Sequence, residues 1–154
     1  MEDMAAVIEE NGVFRVNGLD RPVDIFRVPN QLAVEEFDAV WERGTSLDDG
    51  TRFPDVIDLL VTKQATGRDK DTLDIAFLEA KAERQYLAEL PGASAGKAAA
   101  MLERFLTPKV ASAAMGHPAE PVRLLGEKFL RELAEDGDPF AQEILRDLGG
   151  RTGR

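Results

Sequence analysis

The chain has 154 residues, enough for one ordinary core with a small appendix and too few for two full domains. Its 29 acidic and 19 basic residues give a formal net charge of −10, which excludes a protein whose whole surface attracts nucleic acid or anionic membrane. The absence of cysteine excludes disulfides and thiolate chemistry, and the single histidine makes a zinc site a poor expectation.

Residues 1–10 carry acids among their apolar positions, unlike the basic start and apolar middle of a signal peptide. No uncharged run approaches the ~18 residues that a membrane-spanning helix needs. We therefore expect a cytoplasmic protein that is neither secreted nor embedded in a membrane.

The first structural signal is a pair of β-rich runs, residues 13–16 and 23–28, separated by an Asn-Gly turn. This arrangement predicts a β-hairpin. Strand alternation places Val23 and Ile25 on one face of the second run and Asp24 on the other.

An amphipathic helix is predicted over residues 34–43, where apolar side chains recur at helical spacing and Gly44 supplies a stop. Trp41 lies in line with the apolar positions, so we expect it in the core or at an interface. Residues 45–54, with Asp-Asp-Gly in their middle, predict a second tight hairpin or a turn between short extended pieces.

Two further helices flank a glycine. Asp55 is the predicted N-cap of a helix that runs through Thr66, and Gly67 is its predicted stop. A longer helix is predicted from about residue 69 to residue 89, where Leu-Pro-Gly closes it.

The remaining sequence predicts helices only. They are expected over residues 94–106, 108–115, 121–136 and 139–148. The last has Asp138 at its cap and one apolar edge formed by Phe140, Ile144 and Leu148. His117, between Gly and Pro in a predicted loop, is expected to face solvent.

The elements predict an α+β fold. A small sheet packed by helices occupies residues 1–90, an all-helical extension over residues 91–148 packs on it, and residues 149–154 form a flexible tail.

The stretch from Lys63 to Asp74 places charges on faces that are otherwise apolar. Lys63 continues the apolar edge of its helix, and Asp71 and Asp74 begin the apolar stripe of the next. Because an isolated buried charge costs several kcal/mol, these groups must be paired or solvated in a cleft. Two interpretations remain open: a structural ion-pair cluster that pins two helices, or an anion site made from Lys63, Arg68 and a helix N-terminus.

The pattern Lys-x4-Arg-x-Lys-Asp-x2-Asp from Lys63 to Asp74, preceded by Val-Ile-Asp-Leu-Leu, resembles the helical motif of small nucleotidyltransferase-fold proteins. These include the abortive-infection and toxin–antitoxin nucleotidyltransferases and the minimal transferases related to DNA polymerase β. Three upstream segments resemble the third catalytic strand and the segment that joins it to this helix: Arg-Pro-Val-Asp-Ile-Phe from Arg21, Phe-Asp-Ala-Val-Trp-Glu-Arg from Phe37, and Leu-Asp-Asp-Gly from Leu47. The resemblance covers roughly residues 13–82.

The resemblance implies a partial nucleotidyltransferase-like sheet and a nucleoside triphosphate bound with Mg²⁺, which carboxylates hold in such enzymes. It makes Asp24 the catalytic and metal-binding acid. It assigns Lys63 to the nucleotide phosphates, with Arg68 and Lys70 as further nucleotide-binding residues. Asp71 and Asp74 would then form ion pairs or support the site.

The family's Gly-Ser motif, followed by Asp-x-Asp on a strand, is missing before Asp24. Two hypotheses follow. The chain is a nucleotidyltransferase-like protein that is catalytically incomplete by itself, or it is a non-catalytic interaction or regulatory module, antitoxin-like, derived from that fold. Missing strands would expose an edge beside Asp24, so we also expect a homodimer or a partner protein.

Overall fold

The computed structural model describes residues 13–18, 20, 23–26 and 37–151, with the backbone alone at 13, 14, 24, 26, 37 and 149–151. The chain forms two compact units, Met1–Ile75 and Ala76–Arg154. The strands of the described part lie in the first unit and the second is helical there, which confirms an α+β architecture dominated by helices. The nucleotidyltransferase-like identity of that fold stays a prediction, as does the boundary at residue 90.

The first unit contains the predicted N-terminal hairpin. Strand β1 (Val13–Val16) pairs antiparallel with β2 (Val23–Phe26), and the register places Arg15 opposite Asp24. Gly18 in the connection has a φ of 89°, a conformation that glycine adopts without strain.

A short helix and a second hairpin follow. Helix α1 (Phe37–Arg43) leads directly into β3 (Thr45–Ser46), which pairs with β4 (Arg52–Phe53), as predicted. A β-carbon at Gly44 would lie 2.7 Å from the carbonyl oxygen of Phe53, so only glycine allows this close approach. The first three residues of the predicted helix, 34–36, lie outside the described residues.

Arg52 ties the second hairpin to the end of α1. Its guanidinium donates hydrogen bonds to the carbonyl oxygens of Gly44 (3.2 Å) and Glu42 (3.2 Å) and lies 5.3 Å from the centre of the Trp41 ring. Trp41 remains 50% exposed, so the expectation of a core position is wrong and that of an interface stays a prediction.

Helix α2 (Val56–Thr66) begins and ends as predicted. The Asp55 carboxylate accepts hydrogen bonds from the amides of Ile57 and Asp58, and Gly67 ends the helix in the left-handed conformation. A 3-10 turn (Asp69–Asp71) then precedes α3 (Thr72–Glu89), where the sequence predicted one uninterrupted helix. This turn brings Asp71 back toward α2.

The second unit continues α3 and adds helices joined by short connections. After a 3-10 turn (Leu90–Gly92) come α4 (Ala95–Arg104), α5 (Pro108–Ala114), α6 (Glu120–Glu135) and α7 (Pro139–Arg151). Helix α7 runs three residues past Leu148, where the sequence predicted the tail to begin. None of the described helices combines the length and apolar composition needed to cross a membrane.

The core of the second unit lies where α5, α6 and α7 meet. Ala111, Leu130 and Ala141 are completely buried there. On α7 the buried edge is therefore Ala141 with Ile144 and Leu148, and Phe140 is 65% exposed, so the prediction that Phe140 belongs to this edge is wrong. Asp138 caps α7 as predicted, because its Oδ1 accepts hydrogen bonds from the amides of Phe140 and Ala141.

Candidate functional site

The structure brings together four of the predicted site residues around the Gly67 turn. Lys63 lies in the last turn of α2, Arg68 follows Gly67, Asp71 ends the 3-10 turn and Asp74 lies in the first turn of α3. All four belong to the first compact unit. We call this group the turn cluster.

Asp71 is the centre of the turn cluster, with a side chain only 3% exposed. Its Oδ1 accepts a hydrogen bond from Lys63 Nζ at 2.9 Å. Its Oδ2 accepts bonds from Arg68 Nε at 2.6 Å and from the hydroxyl of Thr66 at 2.9 Å. Both carboxylate oxygens are therefore satisfied by donors from α2 and the loop that follows it.

Lys63 also pairs with a second acidic residue. Its Nζ donates to Asp74 Oδ2 at 2.7 Å as well as to Asp71, so one ammonium bridges the 3-10 turn and α3. The formal charges of Lys63, Arg68, Asp71 and Asp74 sum to zero. The cluster as a whole consequently offers no excess positive charge to an anion.

Electrostatics within the cluster reinforce the pairing. The hydrogen bond from Lys63, followed by those from Arg68 and Thr66, holds the pKa of Asp71 well below its usual range, although burial opposes this shift. The hydrogen bonds to Asp71 and then Asp74 raise the pKa of Lys63, against a smaller effect of desolvation. Lys63 and Asp71 therefore each stabilise the charged form of the other.

At the helix N-terminus predicted to receive a phosphate, some of the backbone amides already donate hydrogen bonds within the chain. The amide of Asp71 donates to the carbonyl oxygen of Arg68 at 2.9 Å, and the amide of Thr72 donates to that of Asp69. These amides are among the groups that would otherwise face an anion at the start of α3. The 3-10 turn uses them internally.

Two other predicted residues are not part of the turn cluster. Lys70 is exposed and forms no ion pair within the described part of the chain. The backbone of Asp24 lies on β2, at the register position opposite Arg15. The structure thus brings Lys63, Arg68, Asp71 and Asp74 together, and Lys70 takes no part in their network of hydrogen bonds.

A Mg²⁺ site depends on the oxygen ligands that the chain brings together. Divalent metal sites of the transferase kind need several carboxylate oxygens. Among the described residues, no group of three or more His, Cys, Asp or Glu is placed to hold a metal ion. The side chain of Asp24, the predicted ligand, is not among those that the structure describes, so the Mg²⁺ site stays a prediction.

Sequence reasoning missed a second ion pair in the same unit. Arg43, the last residue of α1, donates from Nε and Nη2 to the two carboxylate oxygens of Asp58 at 3.1 and 2.9 Å. The Asp58 side chain is 5% exposed. An acid inside the apolar run of α2 was the available signal, because a buried carboxylate calls for a partner.

The expectation that His117 faces solvent is wrong, because only 3% of this residue is exposed. Its Nδ1 accepts a hydrogen bond from the amide of Ala119, which fixes the proton on Nε2. Nε2 then donates to the carbonyl oxygen of Ala93 at 3.0 Å. His117 therefore joins two loops of the second unit and has a structural role.

Comparisons with protein-family models, with curated proteins and with solved structures found no significant match.

Proposed function

We propose that this chain is a non-catalytic interaction module of the regulatory, antitoxin-like kind, derived from a nucleotidyltransferase-like ancestor. The observation that supports this proposal best is the pairing of Lys63 with Asp71 and Asp74. The residue that resembles the phosphate-binding lysine of the family directs its charge to acids of its own chain.

A bound triphosphate would have to compete with these carboxylates. Asp71 is buried and accepts three hydrogen bonds, so separating it from Lys63 and Arg68 would leave a poorly solvated charge behind. The net charge of −10 adds a general repulsion for an anionic ligand. Both effects disfavour a bound nucleotide.

The surface that we assign to the partner is the aromatic patch at the end of α1 and the second hairpin. Trp41 and Phe53 are each about half exposed. Arg52 holds a fixed position over the Trp41 ring because carbonyl oxygens anchor its guanidinium. Tryptophan and arginine held in place before binding are the residue types that dominate binding energy at interfaces.

One observation favours nucleotide binding as a second candidate. The side chains of Lys63 and Arg68 are 32% and 50% exposed, and that of Asp74 is 58% exposed. A phosphate could replace Asp74 on Lys63 without entering the core. This candidate needs only the exposed half of the turn cluster to rearrange.

Titration calorimetry with Mg²⁺-ATP separates the two candidates. We expect no saturable heat with the unmodified chain, and a weak gain of binding in Asp74→Asn, which removes the exposed acid from Lys63. Lys63→Ala is the matched control and should show no heat. Saturable binding to the unmodified chain that Lys63→Ala abolishes, with an unchanged melting temperature, would overturn the proposal.

The protein-binding part of the proposal is tested by photo-crosslinking in the native cell. A photoreactive residue at position 53 should form one defined adduct, whereas the same residue at Asp69, an exposed position outside the patch, should not. The protein identified in the adduct is then purified, and its binding should weaken at least tenfold in Trp41→Ala. Equal adducts at both positions, or unchanged binding in Trp41→Ala, contradict the assignment.

A further inference from the structure

Two exposed helix faces of the second unit carry opposite charges. On α3, Phe77, Lys81 and Arg84 recur at intervals of four and three residues and share one face. All three are exposed, and Phe77 is 60% exposed. This basic face stands out in a chain whose net charge is −10.

The second face lies on α7. Phe140, Glu143 and Asp147 recur at intervals of three and four residues and again share one face. They too are exposed, with Phe140 at 65%. This acidic face therefore has the same layout as the basic face, an aromatic residue followed by two like charges.

The two faces match residue by residue when the helices run in parallel. Phe140 then stands opposite Phe77, Glu143 beside Lys81, and Asp147 opposite Arg84. An antiparallel arrangement would set each phenylalanine against a charged residue, so the parallel arrangement is the better match. Such complementarity specifies a partner and a register more than it supplies affinity.

The charged side chains on these two faces form few contacts with the residues that the structure describes, apart from a hydrogen bond from Arg84 to the carbonyl oxygen of Ala80. Neither Lys81 nor Glu143 forms an ion pair with a side chain that the structure describes. Other exposed charges of the same unit do pair along their own helix, as Lys128 does with Glu132. The exposure of Phe77 and Phe140 shows that the two faces do not cover each other within one chain.

We infer that a second copy of this chain docks its acidic α7 face on the basic α3 face. Every copy of the chain carries both surfaces, and their charges are complementary, so the partner is a second copy. The contact is small and polar, so it is weak and depends on ionic strength. It is independent of the proposed function, because neither a nucleotide nor the aromatic patch takes part.

Sedimentation velocity of the full chain at rising concentration tests this inference. We expect the weight-average sedimentation coefficient to rise with concentration in low salt and to fall to the monomer value in about 0.5 M salt, where charges are screened beyond a few ångströms. A monomer at every concentration in low salt, or an association that salt leaves unchanged, overturns the inference.

Charge reversal supplies matched variants whose substitutions all lie at exposed positions. Lys81→Glu with Arg84→Glu gives a chain with two acidic faces, and Glu143→Lys with Asp147→Lys gives a chain with two basic faces. Each variant alone should associate at least tenfold more weakly than the unmodified chain, and an equimolar mixture should associate again. Unchanged self-association of either variant, or a mixture that stays monomeric although both variants keep the native circular dichroism spectrum, contradicts the inference.

Discussion

Replacing Gly126 with alanine should weaken the packing of the helical unit. Gly126 lies in α6 where this helix crosses α5, and an added β-carbon would lie 2.7 Å from the carbonyl oxygen of Ala111 and 2.8 Å from the β-carbon of Ala114. Both neighbours are parts of α5 that cannot rotate away. The two helices must therefore separate to admit one methyl group.

The size of the effect follows from two opposing terms. Overpacking of a close contact costs about 1–3 kcal/mol, and the overlap with two rigid neighbours places Gly126→Ala toward the upper end. Alanine inside a helix recovers about 1 kcal/mol relative to glycine. We expect a net loss of roughly 1–2 kcal/mol in the free energy of unfolding.

Urea unfolding followed by circular dichroism measures this difference, and Gly96→Ala is the matched control. Gly96 lies in α4, where an added β-carbon meets no atom within 4 Å, so the same exchange should stabilise by about 0.5 kcal/mol. Opposite signs for the two substitutions support the close crossing of α5 and α6. A gain in Gly126→Ala equal to that in Gly96→Ala would refute it.

Three further predictions concern the polar contacts. Because the pKa of Asp71 is lowered in the folded chain, its contribution to stability is present above the unfolded pKa of about 3.9 and is lost as the pH falls below that value. The melting temperatures of the unmodified chain and of Asp71→Asn should therefore converge in acid. The control Asp69→Asn, at an exposed position, should lower the melting temperature little at pH 7. Equal melting temperatures of the Asp71 and Asp69 variants at pH 7 would contradict the ion-pair network. His117→Ala should cost roughly 2–4 kcal/mol in urea unfolding because two backbone groups lose their partner, and a change under about 0.5 kcal/mol would contradict that role. Arg43→Met should cost about 1–3 kcal/mol, and a double-mutant cycle with Asp58→Asn should show favourable coupling; additive effects would mean that the bidentate pair contributes nothing.

The features that sequence predicted well are local ones. The cap at Asp55, the stop at Gly67 and the two hairpins depend on residues within a few positions of each other. The pairing of Lys63 with Asp71 and Asp74 is one of the two interpretations that the sequence leaves open. These residues lie within twelve positions of each other, and helical periodicity puts each of them on the apolar face of its own helix.

The features that sequence did not predict depend on contacts between distant segments. Arg43 and Asp58 are fifteen residues apart, and nothing local joins them. His117 is buried because a loop near Ala93 supplies a carbonyl oxygen. The spacing of Phe140, Ile144 and Leu148, four residues apart, resembles a buried edge, but the buried edge of α7 begins at Ala141, one residue later.

We propose that Lys63 belongs to the ion pairs of the turn cluster and binds no nucleotide. Side-chain NMR of Lys63, labelled at Cε and assigned with Lys63→Arg, measures this directly during titration with Mg²⁺-ATP. We predict that the signal stays in place up to roughly 10 mM nucleotide, ten times the dissociation constant of a millimolar site. A saturable shift of the Lys63 signal, absent from the other lysines, would contradict this claim and restore the nucleotide site.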